Sequence, residues 1–489
     1  MKLIKRILGG AVLALVVLAA VLVLRTFLAE IPDVAVPPFE PAPFDEEAAV
    51  AHLAEAVQIP TISHRDPGRV DTEPFARFHA FLEDTYPRVH ATLARETVNG
   101  YGLLYTWEGS TPDAPPVILL AHQDVVPVEP GTQEDWAHPP FSGTVSDGHI
   151  WGRGTLDDKG SLIGILEAVE ALIGADFVPA RTIYLCFGHD EEVGGHEGAA
   201  HIAQVLAQRG VTAYLLLDEG LAITQDIVPG VSQPVALVGV AEKGYLTVAL
   251  TAAGEGGHSS TPPPESAVGM VARAVARLEE NPMPARLDGP MRAMLEWVGP
   301  AMDFPLRLVM ANLWLFEPLV TWQFAAQPAT NAGIRTTTAP TMFEAGTKEN
   351  VLAQSARAVV NFRIMPGESI ATTLAHVRET IGDARVTVTR LPTPGDPSPV
   401  SPAEGAAWEA VTTSIRQVFP EAVLAPGLML GGTDTPHYQD VTQATYRFLP
   451  VVFQTEDLER LHGTNERLAV NDYLALVRFY QQLMRNAAG

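Results

Sequence analysis

Three short apolar runs in this chain each end in residues able to bind a cation. Residues 117–121 lead into His122-Gln123-Asp124, residues 182–187 into His189-Asp190-Glu191-Glu192, and residues 213–217 into Asp218-Glu219. Runs that are apolar on both faces predict strands buried between helices, and open α/β sheets gather their ligands at the carboxyl ends of such strands. A fourth piece, Gly152-Arg153-Gly154-Thr155-Leu156-Asp157-Asp158-Lys159-Gly160, reads as a glycine-rich turn entering a helix. It lacks the Gly-Lys-Ser/Thr ending of a phosphate loop, and its paired aspartates would repel a phosphate and attract a cation. Each piece alone is weak, but imidazoles and carboxylates at converging strand ends are the donors a zinc site uses. Nucleophilic catalysis has no comparable support. There is no Gly-x-Ser-x-Gly elbow, and the single cysteine, Cys186, lies inside an apolar run and reads as a small buried hydrophobe.

These residues need a scaffold, and the pattern predicts an α/β one with helices on a mainly parallel sheet. Helices are expected at 161–173 and 197–208. Near Val235 the character changes: strands at 235–240 and 245–250, a helix at 267–280, a strand at 356–364 and a helix at 370–381 form a small α+β unit. Within it, residues 291–324 are largely apolar and include Trp297, Phe304, Trp314, Phe316, Trp322 and Phe324, suited to a greasy substrate group, to a core, or to a membrane-facing surface. The α/β style resumes with a helix at 406–418, a strand at 446–452 and a helix at 472–485. The expected division is a catalytic domain over 44–235 and 391–489, interrupted by a domain over 236–390 that carries a helical insertion at about 285–345.

The chain has 489 residues, of which 47% are hydrophobic and 18% charged, so it can build cores and does not read as disordered. Its net charge of -25, without a basic cluster, argues against a nucleic-acid partner. At the start, Lys2, Lys5 and Arg6 precede an uninterrupted apolar or small stretch from Ile7 to Leu24. This is long enough for a membrane helix and is not followed at once by a small-x-small cleavage site. Residues 1–30 are therefore expected to be an uncleaved anchor, with the basic end cytoplasmic and the body on the other side. Residues 31–43, with Pro32, Pro37, Pro38, Pro41 and Pro43, read as a stiff tether.

The motifs, in their order, resemble the dizinc family of aminoacylase and carboxypeptidase S. They are His122-Gln123-Asp124, Gly152 to Gly160, Asp190-Glu191-Glu192-Val193-Gly194-Gly195, Leu217-Asp218-Glu219-Gly220, Gly256-Gly257-His258-Ser259-Ser260 and Leu461-His462-Gly463-Thr464-Asn465-Glu466. The Asp-Glu-Gly and His-Gly-x-Asn-Glu forms, with the anchor and the helical insertion, are similar to the carboxypeptidase S branch, which includes N-fatty-acyl amino acid hydrolases. The resemblance implies a metal-dependent hydrolase of N-acyl amino acids or small peptides. The cofactor would be two zinc ions, with cobalt or manganese as alternatives. His122 and Asp218 would hold one ion, Glu192 and His462 the other, and Asp157 would bridge them, with Glu219 the rival to Asp218. Asp124 would orient His122, Asp158 would cap the next helix, and Glu191, left without a metal, would be the general base. The α+β unit would be a ferredoxin-like lid and dimerisation domain. There His258 would stabilise the oxyanion, reaching across to a partner's site in a homodimer. Asn350, Arg363 and Gly432 would hold the substrate, Arg363 and the loop of Gly432 by its carboxylate. A dipeptidase, and a non-catalytic membrane-tethered binding protein, remain as alternatives.

Overall fold

In the computed structural model, alternate residues of the strand Val117–His122 feed two separate layers. Val117, Leu119 and Ala121 enter the larger core with Ile183, Leu185, Phe187, Leu215 and Leu217, while Ile118 and Leu120 face the opposite side with Cys186 and Leu216. A period of two with both phases apolar can only be satisfied by cover on both faces. The helices Glu46–Val57, Lys159–Gly174, Gly405–Val418 and Val470–Ala488 supply one layer, and Ala199–Gln208 supplies the other. All residues are described except Met1, Asp33, Ala35, Thr393 and Pro394; the parts of the expected anchor, tether and final catalytic segment that fall on these positions lie outside the described residues.

The sheet between those layers has eight strands, in the spatial order Ala94–Val98, Gly102–Trp107, Ile183–Gly188, Val117–His122, Leu215–Thr224, Thr445–Phe453, Val235–Glu242 and Val423–Met429. It is mixed. Val117–His122 is parallel to both neighbours, Leu215–Thr224 to Thr445–Phe453, and Val235–Glu242 to Val423–Met429, whereas Gly102–Trp107 pairs antiparallel with Ala94–Val98 on one side and Ile183–Gly188 on the other. The register sets His122 opposite Gly188 and Leu119 opposite Leu217, so the three motif-bearing strand ends share one rim.

The α+β unit is a four-stranded antiparallel sheet, ordered Thr337–Ala345, Ser355–Ile364, Gly244–Ala253 and Thr387–Arg390. Two helices, Ala267–Glu280 and Ile370–Ile381, cover one face through Leu246, Val248, Leu250, Val271, Leu278, Phe362 and Val377. The second of these starts in a Ser369–Thr372 capping box and stops at Gly382, whose φ of 56° suits a residue without Cβ. Strand alternation turns Tyr245, Thr247, Asn361 and Arg363 away from this core, toward the rim of the large sheet.

The helical insertion does not join that small core. Val298 and Met302, from its first turns, pack on Val423 and Ala425 of the large sheet's edge strand, and Trp297 meets Trp408 edge-on at 5.5 Å. The helix Lys2–Leu28 leaves the body with its apolar surface exposed, and its last turns rest on the insertion. Residues 37–40 lie along the last helices: Pro37 O accepts from Gln417 and Glu40 O from Arg485.

Candidate metal centre

Asp157 presents its two carboxylate oxygens to two different imidazoles. His122 Nε2 lies 2.8 Å from Oδ1 and His462 Nε2 lies 2.8 Å from Oδ2. Each imidazole has a second carboxylate beside it: Glu219 Oε1 is 3.4 Å from His122 Nε2, and Glu192 Oε2 is 3.2 Å from His462 Nε2. The five groups thus form two donor sets that share Asp157.

The chain builds this cluster with positions that tolerate little substitution. Gly152 has a φ of 146°, and a Cβ there would meet Val57 Cγ1 at 2.4 Å and Pro140 O at 2.9 Å. The turn it starts is held by Glu466, whose Oε1 accepts the N–H groups of Gly154 and Leu156 at 2.9 Å. Glu466 Oε2 pairs with Arg153 at 2.5 Å, and Arg153 also donates to the carbonyls of His462 and Gly463 at 3.0 Å. This buried pair ties the Asp157 turn to the His462 loop, though Asp157 and His462 stand 305 residues apart. Asp158 begins the following helix without a side-chain cap and instead accepts from His122 N–H at 3.3 Å.

Asp124 is fully buried. It accepts the N–H groups of Glu191 and Glu192 at 3.1 and 3.2 Å and stands 3.3 Å from His122 Nδ1. Burial works against its charge, but hydrogen bonds from His122 and its other donors prevail and hold its pKa below the ordinary value. His122 Nδ1 is also 2.9 Å from Asp124 O, so this nitrogen carries a proton, and Nε2 is the atom that faces the carboxylates of Asp157 and Glu219. Among the described residues, no ion pair joins the expected ligand Asp218 to His122 or His462. Its Oδ1 accepts from Glu219 N–H at 2.9 Å, and its buried Oδ2 has no partner. The cause is a bulge: Arg447 pairs with Asp218 and Phe448 with Leu221, so Glu219 and Gly220 are pushed out of the ladder while Asp218 stays in it. The strand runs Leu215–Thr224, past the end at 217 that the apolar run implies.

The cluster fits divalent cations. Three carboxylates crowd around two imidazoles there, and Glu192 Oε1 is buried without a partner. Burial, followed by neighbouring carboxylates, raises Glu219 well above the usual range and raises Glu192 as well. Hydrogen bonds to Asp157 and Glu192 push His462 up to about 10. Glu191 is also driven well above its ordinary value, by burial and then by Glu219, Asp434 and Glu192, against the opposing pull of His122.

Of the remaining expected residues, Arg363 shares a cavity of about 1280 Å³ with Glu192, His196 and Arg390, and its guanidinium lies 4.4 Å over Tyr245. Gly432 lies on an exposed loop fixed by its neighbour, since Thr433 Oγ1 donates to Glu242, which is paired with buried Arg447 at 2.8 Å. His258 and Asn350 lie together on an exposed two-stranded ribbon, where Asn350 O accepts from Ser259 and His258 Nδ1 is 2.7 Å from Ser260 Oγ. Among the described residues, no hydrogen bond or ion pair ties His258 to the cluster of its own chain.

Residues 118–486 match the peptidase family M20/M25/M40. The chain is 42% identical to the N-fatty-acyl-amino acid synthase/hydrolase PM20D1 of Xenopus tropicalis, over 98% of this chain and 95% of the relative. It is 32% identical to carboxypeptidase S of Saccharomyces cerevisiae, over 91% and 85%. The fold is that of the M20 metallo-carboxypeptidase Sso-CP2 from Sulfolobus solfataricus, with a TM-score of 0.67 at 18% identity, covering 90% of this chain and 99% of that one. The chain therefore belongs to the M20/M25/M40 peptidase family, on its carboxypeptidase S and N-fatty-acyl amino acid hydrolase branch, and is an enzyme of this metal-dependent class.

Proposed function

We propose that this enzyme hydrolyses the amide bond between an acyl group and an amino acid with a free carboxylate. The observation carrying this reading is the division of Asp157 between two imidazole–carboxylate pairs. His122 with Glu219, and His462 with Glu192, would hold one divalent ion each, with Asp157 shared. When bound, zinc or a similar ion supplies Lewis acidity and lowers the pKa of water. Glu191 takes the proton of the attacking water and returns it to the leaving nitrogen, its backbone fixed by Asp124. Arg363 faces the same cavity as Glu192 and pairs the substrate carboxylate. His258 stabilises the oxyanion from the lid of a second copy. The name of the Xenopus relative points to fatty acyl groups, and the size of the cavity accommodates one beside the amino acid. The apolar helix near the amino terminus anchors the body on the non-cytoplasmic side.

The test is kcat/KM over N-acyl amino acids from acetyl to oleoyl, with dipeptides alongside, before and after chelation and refilling with zinc, cobalt or manganese. Activity that vanishes with the metal, returns with it and rises with acyl length supports the proposal. Preference for dipeptides would replace it with a dipeptidase, and the absence of any hydrolysis would reject catalysis on these substrates.

A further inference from the structure

The helix Leu313–Ala325 is apolar almost all round. Its one charged residue, Glu317, is paired with Arg292 at 2.8 Å. Leu313 and Val320 are buried against the rest of the insertion. The other face consists of Trp314, Leu315, Pro318, Leu319 and Trp322, all exposed, with Trp322 at 66%. The spacing of these five places them along one side of a helix, so they form a continuous patch.

What lies next to the patch identifies its partner. Residues 3–24 of the first helix are exposed except for Leu18 and Leu22, which with buried Thr26 form a stripe at intervals of four against the insertion. Asn312 Nδ2 donates to Leu22 O at 3.1 Å, Arg25 Nε to Ala311 O at 3.3 Å, and Arg307 to Ala29 O at 2.5 Å. Phe27 and Phe304 add a ring contact at 6.0 Å. The apolar run ends at Leu24, so at 1.5 Å per residue the Asn312 corner is level with a point about 3 Å inside its end. The start of the patch, Trp314, lies beside Arg25 and Ala29 and so near the depth where the span leaves hydrocarbon. Tryptophan is the side chain best suited to that depth, with an apolar ring and one N–H for the wet side.

We infer that the Trp314–Trp322 face lies in the headgroup–acyl boundary of the bilayer that the anchor crosses, making the insertion a second, monotopic membrane contact. The inference rests on the anchor reading and adds a fixed orientation of the body on the membrane. A second copy of the chain is the competing occupant. Docking of another copy would not by itself require the face to be level with the end of the span.

The experiment uses the full chain in proteoliposomes. Cys186 is buried, so single cysteines introduced elsewhere can be labelled with a polarity-sensitive fluorophore. Labels go on L319C and W322C, on V12C within the span, and on T97C in the strand at the opposite edge of the large sheet. Lipids carrying a nitroxide near the headgroup should quench positions 319 and 322 several-fold more than position 97, and lipids with the nitroxide at the chain end should quench position 12. If position 12 is quenched while 319 and 322 behave like 97, the face is not in the membrane and the inference fails with the anchor intact. If position 12 is not quenched, both fail. Mutual quenching of labels at 322 on different copies would assign the face to a dimer and overturn the inference.

Discussion

Glu191 and Glu192 are neighbours, and Asp124 holds both of their N–H groups, yet their side chains face different groups. Glu192 points at His462, whereas Glu191 is set among Glu219, Asp434 and Glu192 without an imidazole of its own. Glu191→Gln should keep both metals by elemental analysis and lower kcat by roughly three orders of magnitude or more, since one group does the work of base and acid. A fall of only a few-fold would remove Glu191 from that role. The adjacent pair Asp218 and Glu219 gives a second contrast. Burial pushes Asp218 up to about 7, so an amide is a close mimic of its neutral form. Asp218→Asn should retain both metals and Glu219→Ala should lose one; the reverse pattern would restore Asp218 as the ligand. Residue types alone left this choice open, because the bulge that ejects Glu219 from the ladder is a property of strand pairing.

Among the elements, Val235–Glu242 joins the large sheet rather than the α+β unit expected to hold it, but the buried strands between 117 and 217 were legible from apolar runs, and the helices after 159, outside the insertion, from their periodicity. The strand Val423–Met429 was not, because Pro426 and Gly427 break any strand pattern; it survives as an edge strand, where a missing N–H costs least. Glu466 was visible as a motif letter, but its grip on Gly154, Leu156 and Arg153 depends on tertiary contact across the chain. A similar contact joins Glu46–Val57 to Lys159–Gly174: His52 Nδ1 lies 2.6 Å from Glu167 Oε1. This hydrogen bond raises the His52 pKa above 6.5 in the fold. Its stabilising effect is therefore complete below the unfolded value and is lost as pH rises through the folded one. Between pH 6 and pH 8.5 the wild type should lose more stability than His52→Gln, by no more than about 1 kcal/mol because the ring is partly exposed to water. Parallel melting-temperature profiles would show that the pair does not titrate as described.

At the scale of the whole molecule, the lid raises a question of assembly. His258 stands on an exposed ribbon, bonded to Ser260 and apart from its own cluster. If it serves a partner's site, Glu191→Gln and His258→Ala chains, each inactive alone, should regain about a quarter of wild-type activity when reassociated in equal amounts, since half the dimers then carry one intact site of two. A mixture that stays inactive would leave His258 to its own chain. The proposed two-metal centre depends on the whole chain, for its residues join strand ends near position 120 to a loop past position 460. Anomalous diffraction at the zinc edge, from crystals of the zinc-loaded enzyme, tests it most directly. The account predicts two peaks about 3.5–4 Å apart, one beside His122 and Glu219, the other beside His462 and Glu192, with Asp157 between them. A single peak, or two peaks that Asp157 does not share, would contradict it.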